Sequence, residues 1–317
     1  MPTGHRYTVD PARLDGVADE PLFAAVAAEA AQQGIPAFAI GGYVRDRLIG
    51  RLCKDIDFVV EGDGIAFAEA VAKRLDAGAV HVFRNYGTAM FMLGELQVEF
   101  VGARKESYNR NSRKPEVEPG TIKDDQERRD FTINALAISL NAGSTGALVD
   151  PFGGILHLDQ GLLRTPLDPD ITFSDDPLRM LRAVRFATQL GFTIDPVTFE
   201  AIQRNAKRLE IISAERIHAE LNKIILAAKP SVGFVLLRES GLMAEFFPEF
   251  LDLAGAEERF GIGHKDNFYH TLQVLDNVAQ QSNDLWLRWA AVLHDIAKPS
   301  TKRFVPGVGW TFHGHED

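Results

Sequence analysis

Two aspartates within residues 41–60 have a spacing suited to holding metal ions for phosphoryl transfer. Asp55 and Asp57 open an apolar run that we interpret as a β-strand, and side chains two residues apart on a strand point the same way, roughly 6–7 Å apart. Carboxylates placed in this way can hold two divalent ions about 3.5–4 Å apart, the arrangement used for in-line phosphoryl transfer. We therefore predict that Asp55 and Asp57 are catalytic and metal-binding.

A glycine pair lies just before these aspartates. The apolar residues 37–40 predict a strand that enters a turn at Gly41 and Gly42, followed by a short helix with Arg45 and Asp46. Glycine lets the backbone approach a phosphate closely, and a helix N-terminus aims amide N–H groups at it. Either feature alone is weak, because a Gly-Gly pair is common and an Asp-x-Asp pair is most often a solvated turn. Their ordered combination within about twenty residues predicts a phosphate-handling site.

Three further strands follow a helix over residues 64–75. Residues 80–83, 88–93 and 96–102 have strand patterns separated by turn-like segments, which predicts a small mixed α/β unit with an antiparallel meander. Glu99 alternates onto one face of the last strand and is the candidate third carboxylate, although an ordinary exposed sheet glutamate fits equally well. Residues 104–114, with five basic residues against one acidic, lack apolar periodicity, so we predict a mobile loop that overhangs the site.

Length and composition restrict the class of protein. A chain of 317 residues with 45% apolar content can form two or three domains with packed cores. The single Cys53 cannot form an internal disulfide and lies in no metal-binding spacing, and no apolar run reaches the ~20 residues that span a bilayer. We therefore expect a cytoplasmic protein without membrane segments. The net charge of -10 argues against a protein that binds nucleic acid through the electrostatic field of its whole surface. It does not exclude binding through local basic surfaces.

The composition changes after residue 165, where a proline-rich stretch leads into helical periodicity. We predict a boundary near residue 168 and a helix capped by Ser174 or Asp175 that ends at Gln189. Asp176 and Arg179 are three residues apart and so lie side by side on this helix. The simplest interpretation of that pair is a surface salt bridge.

A second interpretation of the pair is base recognition. Cytosine and adenine both present an amino donor beside a ring-nitrogen acceptor, which a carboxylate and a guanidinium match. Uracil and guanine present the reverse order and would leave both charged groups unpaired. One pair, Asp176 and Arg179, would then accept C and A and reject U and G. Arg182 and Arg185 extend a basic edge of the same helix, and we predict that they bind nucleotide as well.

Histidines gather near the end of the sequence. A helix over residues 267–280 contains His270, and the segment 285–293 leads into His294 and Asp295, with His313 and His315 beyond. This gathering predicts a metal site at His270, His294 and Asp295. Because the sequence ends at Asp317, directly after the cluster, we expect the ligand set to be incomplete.

Taken in order, these motifs resemble the class II tRNA nucleotidyltransferase family, which includes CCA-adding enzymes and bacterial poly(A) polymerases. The resemblance covers about residues 36–250. The residues similar to its first motif are Gly41, Gly42, Arg45, Asp46, Asp55 and Asp57. Residues 128–135 are similar to the second motif, and residues 150–154 to the third. Residues 175–179 resemble the nucleobase-templating motif, with Asp175 where the family often has Glu, and residues 213–216 resemble the fifth motif, which braces the templating helix. Residues 264–315 resemble the start of an HD phosphohydrolase-type domain.

The resemblance implies an α+β fold. A nucleotidyltransferase head with a mixed, largely antiparallel sheet would occupy residues 20–167, an all-α neck and body 168–255, and a partial HD-type helical domain 256–317. It implies addition of C, C and A to a tRNA 3′ end from CTP and ATP, with two Mg²⁺ ions. It also implies nucleotide binding by the first two motifs and the templating motif, namely by Gly41, Gly42, Arg45, Asp46, Arg128, Asp130, Asn134, Asp176 and Arg179.

Other functions share some of these features. Poly(A) synthesis and A-only addition use the same motifs, and the HD-like extension and the lack of a strongly basic tail favour CCA addition over both. A metal-dependent phosphohydrolase built on His270, His294 and Asp295 accounts only for the end of the chain. A non-catalytic RNA-binding protein would not need both Asp55 and Asp57.

Overall fold

Contacts along the chain define two compact units, one extending to residue 175 and the other starting at residue 176. The computed structural model describes residues 7–107, 116–255, 258–259, 262–263 and 266–315. The N-terminal unit is mixed α and β and the C-terminal unit is mainly helical, which confirms the predicted α+β fold. The three predicted domain ranges stay a prediction. No helix in the described ranges is long and apolar enough to cross a bilayer.

The described residues of the N-terminal unit form six α-helices and ten strands. The helices are α1 (Pro21–Gln33), α2 (Gly42–Leu48), α3 (Gly64–Arg74), α4 (Ile122–Glu127), α5 (Gly154–Gln160) and α6 (Pro169–Asp175). The strands are β1 (Ala37–Ile40), β2 (Asp55–Val60), β3 (His81–Phe83), β4 (Thr88–Leu93), β5 (Leu96–Gly102), β6 (Arg104–Ser107), β7 (Glu116–Pro119), β8 (Ala137–Ser139), β9 (Leu148–Val149) and β10 (Leu162–Leu163).

Seven of these strands form one sheet in the order β3-β4-β5-β2-β1-β8-β9. Only the β2–β5 pair is parallel, and the other neighbours are antiparallel, which confirms the predicted mixed and largely antiparallel sheet. The parallel pair sets Asp57 opposite Glu99. One face of the sheet is filled by aromatic rings, including Phe58 stacked on Phe100 with centroids 4.9 Å apart. Asp55, Asp57 and Glu99 alternate onto the other face.

The charged segment after β5 differs from the prediction. Residues 104–107 form β6, which pairs antiparallel with β7, so the predicted loop over residues 104–114 is wrong for its first part. A two-stranded ribbon outside the main sheet needs no apolar alternation, because neither of its faces has to enter a core. The remainder of that prediction, residues 108–114, lies outside the described residues.

Within the described part of the C-terminal unit there are nine α-helices and five short strands. The helices are α7 (Leu178–Leu190), α8 (Pro196–Asn205), α9 (Ala214–Ile225), α10 (Pro230–Glu239), α11 (Leu242–Phe246), α12 (Pro248–Leu251), α13 (Asn267–Gln281), α14 (Leu285–Leu293) and α15 (Lys298–Thr301). The strands are β11 (Thr193–Ile194), β12 (Glu258–Arg259), β13 (Ile262–Gly263), β14 (Arg303–Val305) and β15 (Gly309–Thr311).

Helix α7 is the central helix of this unit and packs against α9 and α10. The periodicity of its sequence predicts an apolar stripe at Leu178, Leu181, Val184 and Thr188, and all four residues are buried. The predicted cap is wrong, because Ser174 and Asp175 belong to α6. Helix α6 ends at Asp175, and α7 starts after Pro177. The residue before a proline is disfavoured in the helical region, so Asp176 separates the two helices.

Candidate active site

Three carboxylates converge on one face of the main sheet. Asp55 and Asp57 follow one another on that face of β2, and the parallel register brings Glu99 of β5 beside Asp57. Asp55 is exposed, whereas Asp57 and Glu99 are half-buried. The structure therefore brings together the two predicted metal ligands and the candidate third carboxylate.

The carboxylates of this cluster disfavour one another's charge. Burial raises the pKa of Asp57, with Arg129 opposing the rise and the charge of Asp55 adding to it. Burial also raises the pKa of Glu99, and the charge of Asp57 adds to that rise while Arg104 opposes it. A divalent cation would relieve this repulsion. Carboxylate oxygens are hard ligands of the kind that Mg²⁺ prefers, so the donor set fits the predicted ions.

Gly41 forms the turn between β1 and α2 at the edge of the cluster. Its φ of 85° lies in the left-handed region, which favours glycine. A Cβ at this position would lie 2.9 Å from Arg129 Nη1 and 3.7 Å from Asp57 Oδ2. The backbone conformation of the turn thus favours glycine, and the turn lies between a cationic and an acidic side chain.

A buried hydrogen-bond chain connects α2 to the second motif. The Nε and Nη2 groups of Arg45 donate to the two carboxylate oxygens of Asp46 at 2.8 and 2.9 Å, and Nη1 donates to Asn134 Oδ1 at 2.5 Å. Asn134 Nδ2 in turn donates to Asp130 Oδ1 at 2.9 Å. All four residues are buried, with at most 8% of their surface exposed. Four of the predicted nucleotide-binding residues therefore form a single network, although Arg45 and Asn134 are 89 positions apart in the sequence.

Arg128 is held by a carboxylate that sequence reasoning missed. Asp125 of α4 is fully buried, and its Oδ1 accepts hydrogen bonds from Nε and Nη2 of Arg128, the first at 3.0 Å. Its Oδ2 accepts from Nε of Arg129 at 3.1 Å. Spacings of three and four residues on a helix were the available signal for these pairs.

The predicted base-reading pair lies in the C-terminal unit, at the start of α7. Asp176 Oδ1 accepts from the backbone N–H of Leu178 at 3.2 Å, and Oδ2 lies 3.5 Å from Nη2 of Arg216. Arg179 is 9% exposed. Arg216 belongs to the segment predicted to brace this helix, and the ion pair is a contact through which it can do so.

The two other predicted arginines of α7 differ in their surroundings. Arg185 is buried, its Nε lies 2.6 Å from a carboxylate oxygen of Glu220 on α9, and its guanidinium lies 4.0 Å from the ring centroid of Phe186. Arg182 is half-buried and lies 5.4 Å from the same centroid. The charge of Arg185 is thus compensated inside the α7–α9 interface. The sequence did not indicate Glu220 as a partner, because the two residues are far apart in the chain.

The histidine cluster also forms. His270, His294 and Asp295 offer ligand atoms within 4.8 Å of one another. Asp295 is buried and its Oδ2 accepts from Nζ of Lys298 at 2.8 Å, and Nε2 of His315 lies 3.7 Å from its Oδ1. The structure therefore brings together the three predicted ligands of the HD-like segment, with a lysine beside the shared carboxylate.

Comparisons with known families match all three segments of the chain. Residues 37–164 match the family described as Poly A polymerase head domain, residues 191–253 match "Probable RNA and SrmB- binding site of polymerase A", and residues 267–317 match the HD domain. A crystal structure described as tRNA nucleotidyltransferase complexed with a primer tRNA and an incoming ATP analog is 30% identical, with a TM-score of 0.67 over 84% of this chain and 75% of the other. The chain belongs to the class II tRNA nucleotidyltransferase family.

Relatives within this family are named for different specificities. An A-adding tRNA nucleotidyltransferase of Aquifex aeolicus is 42% identical over 61% of this chain and 23% of its own length. A multifunctional CCA protein of Nitrosococcus oceani is 35% identical over 88% of this chain and 66% of its own length. A CC-adding tRNA nucleotidyltransferase of Halalkalibacterium halodurans is 33% identical over 81% and 64%. The chain thus spans about a quarter to two thirds of the curated relatives it matches.

Proposed function

We propose that this protein adds C, C and A to the 3′ end of tRNA from CTP and ATP. The observation that carries the proposal is the convergence of Asp55, Asp57 and Glu99 beside the Gly41 turn. That convergence occurs in the segment that matches the polymerase head domain. The names of the relatives support tRNA as the acceptor and CTP and ATP as the donors, since solved relatives are described as complexes with primer tRNA, CTP and ATP.

Asp55 and Asp57 would hold two Mg²⁺ ions, with Glu99 as the third acidic group. Such ions, when bound, supply positive charge that stabilises the triphosphate and lowers the pKa of the attacking 3′-hydroxyl. The repulsion among the carboxylates supports this assignment, because binding a cation removes an unfavourable interaction that the folded protein otherwise retains. These residues are hard oxygen donors, in keeping with the chemistry of magnesium.

The buried network of Arg45, Asp46, Asn134 and Asp130 would shape the nucleotide site from behind. Its members already hydrogen-bond one another, so they form a rigid support and not a set of free side chains. Arg128 and the Gly41 turn would face the phosphates, where charge-assisted hydrogen bonds are stronger than neutral ones. Such preorganised donors lower the barrier to nucleotidyl transfer because they need no reorganisation at the moment of reaction.

Asp176 and Arg179 would select the base. The carboxylate accepts from the exocyclic amino group of C or A, and the guanidinium donates to the neighbouring ring nitrogen. The ion pair between Asp176 and Arg216 supports a fixed position for the carboxylate. A pair of protein groups in a fixed position discriminates against U and G, because each of those bases would leave two charged groups unpaired.

A-only addition is the second candidate, and the names of two relatives at 42% and 37% identity favour it. Both reactions would use the same carboxylates and the same base-selecting pair. A hydrolytic activity of the HD-like segment is a separate candidate, supported by the closeness of His270, His294 and Asp295.

Stepwise incorporation separates these candidates. The purified protein is incubated with Mg²⁺ and with tRNA transcripts that end at the discriminator base, after the first C and after the second C, each with one nucleotide at a time. CCA addition predicts CTP incorporation on the first two transcripts and ATP incorporation on the third. ATP incorporation on the third transcript alone would instead establish A-only addition, and a long A ladder would establish poly(A) synthesis. Incorporation on none of them would contradict nucleotide transfer to tRNA.

A further inference from the structure

His315 approaches the histidine cluster from a different part of the chain than the three predicted ligands. His270 belongs to α13, and His294 and Asp295 directly follow α14. His315 lies beyond strand β15, and its Nε2 is 3.7 Å from Oδ1 of Asp295. The Nε2 atoms of His270 and His294 are 3.9 and 3.2 Å from Oδ2 of the same carboxylate. Imidazole groups from three segments of the chain therefore surround one carboxylate.

The distances in this cluster are longer than those of hydrogen bonds. An N–H···O hydrogen bond is about 2.7–3.2 Å long, and two atoms separated by about 3.6 Å or more are not hydrogen-bonded. By contrast, two ligand atoms that each lie about 2.1 Å from a tetrahedral Zn²⁺ ion are roughly 3.4 Å from one another. The separations of 3.7 and 3.9 Å from Asp295 to His315 and His270 are thus closer to the spacing of ligands around one ion.

Backbone carbonyl groups orient the rings of two of these histidines. Nδ1 of His294 lies 2.8 Å from the backbone oxygen of Ala291, and Nδ1 of His315 lies 2.7 Å from that of Phe312. A carbonyl oxygen only accepts hydrogen bonds, so Nδ1 carries the proton in both rings, and Nε2 of the neutral ring offers a lone pair. Histidines that bind metals are usually held in this way, with the other ring nitrogen donating to a carbonyl or carboxylate oxygen.

The carboxylate of Asp295 is fixed in place and remains able to bind an ion. Its side chain is 3% exposed, and Oδ2 accepts a hydrogen bond from Nζ of Lys298 at 2.8 Å. A carboxylate oxygen has about two acceptor sites, so the bond to Lys298 leaves a lone pair of Oδ2 for a cation. The side chains of the three histidines are between 29% and 40% exposed. An ion from solvent can therefore reach a carboxylate whose orientation is already set.

We propose that His315 is a fourth ligand of a divalent-cation site that it forms with His270, His294 and Asp295. Three imidazole nitrogens and one carboxylate suit first-row cations such as Fe²⁺ and Zn²⁺, whereas Mg²⁺ prefers oxygen ligands. The inference adds one residue to the three ligands that the sequence predicts. It goes beyond nucleotidyl transfer, because this site has a different class of ligand from the carboxylate cluster on β2 and β5.

The experiment measures Zn²⁺ binding to the full chain in competition with a chromogenic chelator, with excess Mg²⁺ present to occupy the carboxylate cluster. His315→Ala should weaken Zn²⁺ binding at least about tenfold, because even residues that only orient a ligand contribute about ten- to a hundredfold to metal affinity. His313→Ala is the matched control, since His313 is an exposed histidine of the same turn, two positions away. This variant should bind Zn²⁺ as tightly as wild type.

A second variant separates metal binding from a structural role of the imidazole. His315→Glu keeps a ligand of similar length and should recover part of the lost affinity. The visible absorption of bound Co²⁺ depends on the ligands around the ion, so it should change in His315→Ala and stay the same in His313→Ala.

Two results would overturn the inference. One is equal Zn²⁺ affinity in wild type and His315→Ala, which includes a wild-type protein that binds no Zn²⁺. The other is a loss of affinity in His315→Ala that His315→Glu does not recover and that leaves the Co²⁺ spectrum unchanged, because the imidazole would then act only through the fold of the turn. Neither result would affect the proposed nucleotidyl transfer, which is measured separately by incorporation into tRNA.

Discussion

At the scale of the residue, the proposed role of Asp57 predicts that its carboxylate has opposite effects on stability and on activity. Burial raises the pKa of its carboxyl, so the folded protein holds this proton more tightly than the unfolded chain does. Ionisation therefore destabilises the fold as the pH rises through the raised pKa, and this penalty is absent below the ordinary range of an aspartate. A divalent cation bound at the proposed metal site would compensate this unfavourable charge.

Asp57→Asn should accordingly abolish nucleotide addition and yet raise the melting temperature at pH 7 without metal. A gain of about 1–3 °C is expected from removing one desolvated charge in a protein of this size. The gain should vanish at a pH below the ordinary pKa of aspartate, where the wild-type carboxyl is protonated in both states.

Differential scanning fluorimetry over a pH series measures this difference, with Glu69→Gln on the exposed surface of α3 as the control. Added Mg²⁺ should raise the melting temperature of the wild-type protein but not that of Asp57→Asn. A melting temperature that falls in Asp57→Asn at pH 7 would mean that the carboxylate stabilises the fold by itself, which contradicts a desolvation penalty at this position.

The second prediction for a single residue concerns base selection by Asp176. Asp176→Ala removes the acceptor for the amino group of C or A, and with it the main penalty against the carbonyl oxygen of U or G. Selectivity for CTP over UTP and for ATP over GTP should fall about ten- to a hundredfold, the equivalent of about 1.5–3 kcal/mol. Competition between labelled nucleotides on tRNA ends of the right length measures the ratios.

A structural role for Asp176 makes a different prediction. Loss of its partly exposed ion pair with Arg216 alone would cost at most about 1 kcal/mol of stability and would not alter the choice of base. Arg216→Met breaks the same ion pair without removing the carboxylate and serves as the control. Equal selectivity ratios in wild type and in folded Asp176→Ala would remove the base-reading role.

At the scale of the element, the start of α3 packs directly on the end of β5. A Cβ on Gly64 would lie 2.6 Å from the backbone nitrogen of Gly102 and 2.7 Å from the carbonyl carbon of Val101. Because backbone atoms cannot move aside as a flexible side chain can, the helix would have to shift away from the strand that carries Glu99.

Gly64→Ala should therefore lower the free energy of unfolding by about 1–3 kcal/mol, the usual cost of overpacking. Gly78→Ala provides the comparison, since a Cβ there meets no atom within 4 Å. Chemical denaturation of the two variants measures the difference. Equal stabilities would show that the contact between α3 and β5 tolerates a methyl group.

Elements with strong local patterns could be predicted from the sequence. The turn at Gly41, the two aspartates on β2 and the apolar stripe of α7 each depend on neighbours within a few residues. The polar ribbon of β6 and β7 could not be predicted in the same way. Each strand is stabilised by hydrogen bonds to the other, and the two strands are not adjacent in the sequence. The predicted cap of α7 was wrong for a local reason. Pro177 disfavours the helical conformation at the residue before it, so α7 begins only after Pro177.

The candidate site was predictable only in part for a similar reason. The types and spacing of Asp55 and Asp57 predicted a metal site, and the family resemblance added Asn134, but the contact between Arg45 and Asn134 depends on the folded sheet. Asp124 and Asp125 are adjacent and carry the same side chain, so the sequence does not distinguish them. In the fold Asp125 is buried, whereas Asp124 accepts a hydrogen bond from Thr121 at the surface. The sequence likewise predicted that Arg185 lies on an open basic edge, whereas in the fold Glu220 lies beside it.

At the scale of the molecule, a buried arginine joins the RNA-binding match to the HD match within the C-terminal unit. Arg288 of α14 is 1% exposed and its Nη1 donates to the backbone oxygens of Ile225 and Ala227, both at 2.8 Å. Its Nη2 and Nε donate to the backbone oxygens of Ala279 and Ser282. The guanidinium thus satisfies the carbonyl groups at the ends of α9 and α13.

Arg288→Met should leave these carbonyl groups without a partner and lower the free energy of unfolding by more than about 2 kcal/mol. The two matched segments should then lose structure together, since the same side chain contacts both. Hydrogen exchange of α9 and α13 measures this, with Arg303→Met at an exposed position of β14 as the control. Protection that falls in α13 alone would mean that the two segments unfold independently.

Nucleotide transfer to tRNA by the carboxylate cluster on β2 and β5 is the proposal on which the other assignments depend. The most direct measurement is incorporation of labelled CTP into a tRNA that ends at the discriminator base, by wild type and by Asp57→Asn, with Mg²⁺ and with a chelator. We predict incorporation by the wild-type protein that requires Mg²⁺ and falls more than about a thousandfold in Asp57→Asn, whose tRNA affinity stays unchanged. Incorporation by Asp57→Asn within tenfold of wild type, or none by either protein, would contradict this proposal.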